Sequence, residues 1–327
     1  MNHTLLCATA INLALVIPVH AGTNEYTALL KADKFAEAER VAAARLTREP
    51  ANADALIARS TAIAGGGAKA RIPEAISYAE RCVASHPGQA ACHLILGKML
   101  GWKAMAGGMM SAMAYAGDIR DAFKKAVELD PRNLDARFSL LQYYMLAPAI
   151  AGGGKGKAAD LQAQTAALHP EAGKLMQATL EAHDGDLARA EALSSAVRPG
   201  TDEELRERHE AVLNTIVGKY VMSAKIVEAD RAVQMALRHY PASEHVGYSL
   251  ARVRQEQGRH RDALATLEPL AAKHGRAHVL YRLGQSQQAL GDKPRATASL
   301  EKALAALPAL APKHKADVQA RLSQLKG

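Results

Sequence analysis

One stretch near the C-terminal end constrains the fold of this chain most: Ala277 to Pro308, AHVLYRLGQSQQALGDKPRATASLEKALAALP. Counting Ala277 as position 1, leucine stands at 7, glycine at 8, alanine at 20, leucine at 24, alanine at 27 and proline at 32. Gly291-Asp292 breaks a first helical segment, and Lys293-Pro294 opens a second, because proline suits a first helical turn. Gly284 and Ala296 let two antiparallel helices approach closely, while Leu283 and Leu300 fill the space beside them. A single hairpin of this kind cannot bury its apolar face alone, so copies must stack on it. The composition agrees. Of 327 residues 49% are hydrophobic but only 4% aromatic, with Trp102 the lone tryptophan, which suits close helix packing better than a sandwich or barrel.

These offsets resemble the tetratricopeptide repeat, a helix–turn–helix unit of 34 residues. The resemblance implies an all-α fold: a right-handed α-solenoid of antiparallel helix pairs with a C-terminal capping helix. Each repeat then contacts only its neighbours, so chain length sets no limit on the core.

Upstream copies are legible in order. Ala38, Ala42 and Pro50 fit a first pair over 24–48, broken near Asp33-Lys34. Ala75, Ala79, Cys82 and Pro87 fit a second, with residues 62–67 (AIAGGG) expected as a long loop. A third pair ends in IRDAFKKAVELDP, residues 119–131, and an insertion over 101–117 is expected between its helices. The fourth contains residues 149–155 (AIAGGGK), which nearly repeat 62–67 in an equivalent turn. Gly185-Asp186 turns a fifth, and Arg198-Pro199-Gly200 marks a possible joint. Thr201-Asp202-Glu203-Glu204 reads as an N-cap followed by an acidic first turn. A sixth pair ends at Pro241, a seventh turns at Gly258, the stretch from Ala277 is the eighth, and residues 311–325 form the cap. Within this series, residues 119–158 also resemble exported bacterial tetratricopeptide proteins, a resemblance that implies an exported scaffold and brings no activity with it.

Residues 1–21 read as a secretory leader. Leu5 to Val19 is apolar and Val19-His20-Ala21 offers a cleavage site, although Met1 to Thr4 lack the usual basic residue. The expected organisation is therefore a leader over 1–21, N-terminal repeats over 22–197, and C-terminal repeats with the cap over 198–327. No later segment has the roughly 18 apolar residues of a membrane span, and localisation is expected to be periplasmic or secreted. Without the leader two cysteines remain, Cys82 and Cys92, on consecutive helices; a disulfide and two buried small residues both fit. The net charge of +8 is spread without basic tails or interleaved aromatics, so no nucleic-acid partner is expected.

Motifs that carry chemistry are few. Gly152 to Lys157 invites a phosphate-loop reading, but Ala158 stands where Ser or Thr is needed and a helix precedes it. Met105, Met109, Met110 and Met113 have the spacing of a soft-metal site; packing against neighbouring helices is the expected role, since methionine fills irregular cores. His239, His245, His260, His274 and His278 fall in the last third with turns between them, so no regular ligand pair forms on one helix. No catalytic set is placed convincingly, and no enzyme activity or cofactor is expected.

The tetratricopeptide register supplies the candidate site. In that family the first helices line the concave groove, with offsets 2, 5, 9 and 12 facing into it. These offsets are His245, Tyr248, Arg252 and Gln255 in the copy from Glu244, and His278, Tyr281, Gln285 and Gln288 in the copy from Ala277. The two sets nearly match, and such a ladder suits a protein or peptide partner. A copper-binding protein using the methionine segment, or an enzyme subunit, are the alternative expectations. The lysines and asparagines of the family's carboxylate clamp are missing.

Overall fold

Between the Gly, Pro, Asp and Asn punctuation every alanine- and leucine-rich segment is helical in the computed structural model, which describes residues 25–306 and 309–326. The expected leader over 1–21 and Pro308 lie outside those residues. The helices pair in chain order: α1 (Glu25–Lys31) with α2 (Phe35–Arg48), α3 (Ala53–Gly65) with α4 (Ile72–Ser85), and α5 (Ala90–Ala106) with α6 (Gly108–Leu129). Then come α7 (Leu134–Leu146) with α8 (Lys155–Leu168), α9 (Pro170–Asp184) with α10 (Leu187–Ser195), and α11 (Glu203–Met222) with α12 (Ile226–His239). The last pairs are α13 (Glu244–Glu256) with α14 (His260–His274) and α15 (Ala277–Ala289) with α16 (Lys293–Ala305), before the terminal α17 (Pro312–Lys326). No strand occurs among the described residues.

Short polar side chains start many of the helices. Asn52, Asn133, Asp202 and Ser243 each accept a hydrogen bond from the backbone N–H three residues on, satisfying a donor that the helix itself cannot. Asp186 and Asp292 do the same for α10 and α16. The pairs meet where small residues were expected. Ala38, Ala75, Ala126, Ala190, Ala229, Ala263 and Ala296 are fully buried, each on the second helix of its pair. Ala296→Leu is therefore expected to lower stability by roughly 1–3 kcal/mol through overpacking; an unchanged denaturation midpoint would mean that the α15–α16 crossing is loose.

Three local expectations need correction. Residues 62–65 are not loop: α3 continues to Gly65, and the break begins at Gly66. The segment 101–117 does not stand as an insertion between two helices either. Alanine and methionine favour helix, so it lengthens α5 and α6 into a projecting hairpin that turns at Gly107. The four methionines there do not pack into the core: Met105, Met109, Met110 and Met113 are 66%, 78%, 84% and 42% exposed. Among the described residues nothing covers these four side chains at the hairpin tip. Elsewhere Cys82 and Cys92 are disulfide-bonded, linking α4 to α5.

Successive first helices touch one another (α1 with α3, α3 with α5, α7 with α9, α9 with α11, α11 with α13, α13 with α15), whereas successive second helices do so far less. The first helices thus form the crowded inner wall of a curved stack. The curvature is strong enough for α7 to reach α11. There Asp135 is paired with Lys98 of α5, whose Nζ lies 2.5 Å away, and with Arg208 of α11. Burial pulls the Lys98 pKa down, with the Asp135 charge opposing that fall.

The N-terminal hairpin also meets the late repeats. Lys31 Nζ lies 2.6 Å from Glu203 Oε1 and 2.9 Å from Glu207 Oε1, and Asp33 pairs with Arg276, just ahead of α15. Such partly exposed pairs contribute about 0–1 kcal/mol each and are screened within about 3 Å at about 1 M salt. Small-angle scattering is expected to show a larger radius of gyration in high salt, and Asp33→Asn combined with Lys31→Ala should reproduce that expansion at low salt. An unchanged profile in both would show that the pairs do not hold the closure.

Candidate functional site

A helix repeats every 3.6 residues, so positions separated by three, seven and ten residues share one face. His245, Tyr248, Arg252 and Gln255 therefore form one row on α13, and His278, Tyr281, Gln285 and Gln288 a parallel row on α15. The two helices are adjacent along the inner wall. Cross-row contacts bind them: the rings of Tyr248 and His278 meet edge-to-face at 4.8 Å. Gln255 donates through Nε2 to the Arg282 carbonyl at 2.7 Å and to Ser286 Oγ at 2.6 Å.

The terminal helix changes the second row. Tyr281 is 6% exposed: its hydroxyl donates to Asp317 Oδ2 at 2.8 Å, and its ring stacks on His314 at 5.1 Å. Burial, with Asp317 adding to it, pushes the Tyr281 pKa up to about 12. Gln285 donates to the Tyr281 hydroxyl at 2.7 Å, and Gln288 accepts from Arg321 at 2.8 Å. These three residues are thus engaged by, or tied into, the contacts of α17. The signal for this was in the sequence. His314, Asp317, Arg321 and Gln324 repeat the same spacing of three, seven and ten, so α17 lies where the first helix of a further repeat would.

The more open part of the wall lies around α13. His245 keeps 63% of its side chain exposed while Nδ1 stands 3.5 Å from Glu210. A small cleft, with about 30 Å³ of space for water, is lined by His245, Tyr248, His278, Glu244, His274 and Arg276. Sequence reasoning did not include Glu244 and Arg276, which flank the ladder at helix starts. Burial holds the His278 pKa down at about 4, and the Arg276 charge adds to the effect. Of the other expected histidines, His274 pairs with Glu244 at 2.9 Å, and His239 packs edge-on against His209 at 5.1 Å. No group of three or more His, Cys, Asp or Glu suited to a metal ion occurs among the described residues.

Arg252 is the most unusual member of the wall. Its Nε is buried without a hydrogen-bond partner among the described residues. Burial lowers its pKa, assisted by the charge of Arg282. Its guanidinium lies against Gly218 on α11, at the same ladder position 34 residues earlier, where a Cβ would make only ordinary contact with Arg252 Nη1 at 3.6 Å. Arg282 Nε and Gln285 Oε1 are likewise buried and unpartnered. The glycine loop, by contrast, is closed by its own backbone: Gly153 N–H donates to the Pro148 carbonyl and Gly154 N–H to the Tyr144 carbonyl. Lys157 donates to the Gly152 carbonyl at 2.9 Å.

Comparison with known proteins places the fold. Residues 278–308 match the tetratricopeptide repeat family model, and no curated protein matches the sequence. In structure the chain is similar to yeast Tom70, with a TM-score of 0.64 at 13% identity over 95% of this chain and 66% of that one. It aligns more loosely with Cut9–Hcn1 of the APC/C (TM-score 0.46, 15% identity, 92% of this chain and 54% of that one). A third alignment is with Pseudomonas aeruginosa pilF (TM-score 0.44, 15% identity, 71% and 97%). This chain spans less than two thirds of the matched Cut9–Hcn1 and Tom70 chains. Residues 278–308 match the repeat family itself, and the paired helices of the whole chain have the fold of a tetratricopeptide-type α-solenoid.

Proposed function

We propose that this protein is an exported, non-catalytic scaffold that binds a protein or peptide along the inner wall at α13 and α15. The fold is of the kind used for protein–protein interaction. The observation that carries the site is the open stretch of that wall, where His245, with 63% of its side chain exposed, lines a cleft together with Tyr248 and His278. Tyr248 and His278 offer flat apolar faces there to a partner's side chains. Export is supported by the leader-like residues 1–21 and by the Cys82–Cys92 disulfide, which suits an oxidising compartment.

Binding is tested with whatever protein an envelope-fraction pull-down recovers. Tyr248→Ala should weaken affinity by about 2 kcal/mol if it acts as a hot spot. Lys302→Ala, exposed on the second helix α16, should change little. Tyr281→Ala is a poor probe, because it also removes the contacts with Asp317 and His314. Equal affinity for the Tyr248→Ala protein and the parent would place the site elsewhere. Mature protein is expected to begin at Gly22 outside the cytoplasm; recovery of intact, wholly cytoplasmic chain would overturn the export reading.

A further inference from the structure

We infer that the tip of the α5–α6 hairpin is a binding site for a soft monovalent metal ion, Cu(I) or Ag(I), held by the thioethers of Met109, Met110 and Met113, with Met105 across the turn. The chain has ten methionines, and four of them fall within residues 105–113. Elsewhere Met99 and Met176 are fully buried in the core. At the tip the opposite holds: all four side chains are exposed, and Met109 and Met110 are among the most exposed large apolar groups of the described residues.

Their arrangement on α6 is that of a ligand set. At about 100° per residue, Met113 lies about 40° from Met109 and Met110 about 100° from it, so all three share one arc. Side chains three and four apart on a helix have Cβ atoms about 5–6 Å apart, close enough for flexible thioethers to converge on one ion. The opposite face is held against α5: Ser111 Oγ donates to the Lys103 carbonyl at 3.3 Å, and Lys103 Nζ sits 4.5 Å from the centre of the Tyr115 ring. Ile119 and Ala122 are buried on that side. The methionine arc therefore faces solvent by construction of the hairpin.

The chemistry around the arc selects the ion. Between Gly101 and Gly117 the sequence contains no Asp, Glu, His or Cys. Protein sites for Mg²⁺ or Ca²⁺ are built around carboxylates and zinc sites around thiolate, imidazole or carboxylate, and the tip supplies none of these side chains. Thioethers suit Cu(I), and Ag(I) shares its charge and softness.

Ag(I) is the probe, because it needs no reductant. The full folded chain is titrated calorimetrically, and the methionine ε-methyl resonances are followed by NMR. The expected result is one equivalent bound per chain, with the methyl signals of Met109, Met110 and Met113 shifting while those of Met99 and Met176 stay. The triple Met109→Leu, Met110→Leu, Met113→Leu variant should lose that equivalent. Leucine keeps the size and helix propensity, and circular dichroism verifies the fold. Met222→Leu, an exposed methionine elsewhere, should leave binding intact. Absence of binding by the parent, or an undiminished equivalent in the triple variant, overturns the proposal. The groove reading is untouched by either result.

Discussion

Gly173→Ala is expected to destabilise the middle of the solenoid by up to about 2 kcal/mol net, although alanine is ordinarily the better helix former. Gly173 lies inside α9, where helix propensity alone favours alanine over glycine by roughly 0.8–1 kcal/mol. Packing reverses the sign. A Cβ at this position would lie 2.4 Å from both Cα and Cβ of Ala166 on α8 and 2.9 Å from its backbone nitrogen. No rotamer change can move backbone aside, so the two helices must separate; overpacking of this kind costs about 1–3 kcal/mol, occasionally more. Gly101 is the control. It also sits within a helix, but a Cβ there meets nothing within 4 Å, so Gly101→Ala should stabilise the chain by up to about 1 kcal/mol. Urea denaturation together with hydrogen exchange of α8 and α9 reads both effects. Similar stabilisation by the two substitutions would refute the close approach at Gly173.

Acid is expected to weaken the fold through His209. The imidazole is fully buried. Its Nε2 stands 2.9 Å from the Ser194 carbonyl, which can only accept, so Nε2 carries the proton, leaving Nδ1 to accept from the Tyr240 hydroxyl at 2.8 Å. Burial lowers its pKa from 6.5 to about 4, and the hydrogen bond to Ser194 opposes this only partly. Below pH 6.5 the unfolded chain takes up a proton that the folded chain refuses until about pH 4. Stability is therefore fully present above pH 6.5 and falls between these two values. At about 1.4 kcal/mol per pKa unit, the loss from this residue is roughly 3 kcal/mol by pH 4. His278 shifts in the same direction and steepens the fall. His209→Gln should be less stable at pH 7 yet show a shallower decline towards acid. Parallel stability curves for variant and parent would mean that another group controls the acid response.

Much of the repeat architecture was legible because tetratricopeptide packing writes small residues at fixed offsets. Ala75, Ala229 and Ala296 are spaced and buried as those offsets require. The hairpin over 101–117 was harder to read, since Gly107-Gly108 within an alanine–methionine run fits either a loop or two lengthened helices; the helical hydrogen bonds decided it. The row on α13 could be placed from spacing alone. What covers the row on α15 depended on α17, whose Lys- and Gln-rich surface hid a third copy of the spacing at His314, Asp317 and Arg321. The Asp33–Arg276 pair joins residues 243 positions apart. Its existence depends on the accumulated curvature of all the repeats, which no local pattern states.

Site-specific photo-crosslinking tests the central claim of a binding wall most directly. A benzophenone amino acid is placed at Tyr248 on the inner wall in one variant and at Lys302 on α16 in another, and both are irradiated in the cell envelope. Binding along α13 and α15 predicts a discrete protein adduct from position 248 that is absent from position 302. An adduct from position 302 alone, with none from 248 in a correctly folded chain, would contradict it.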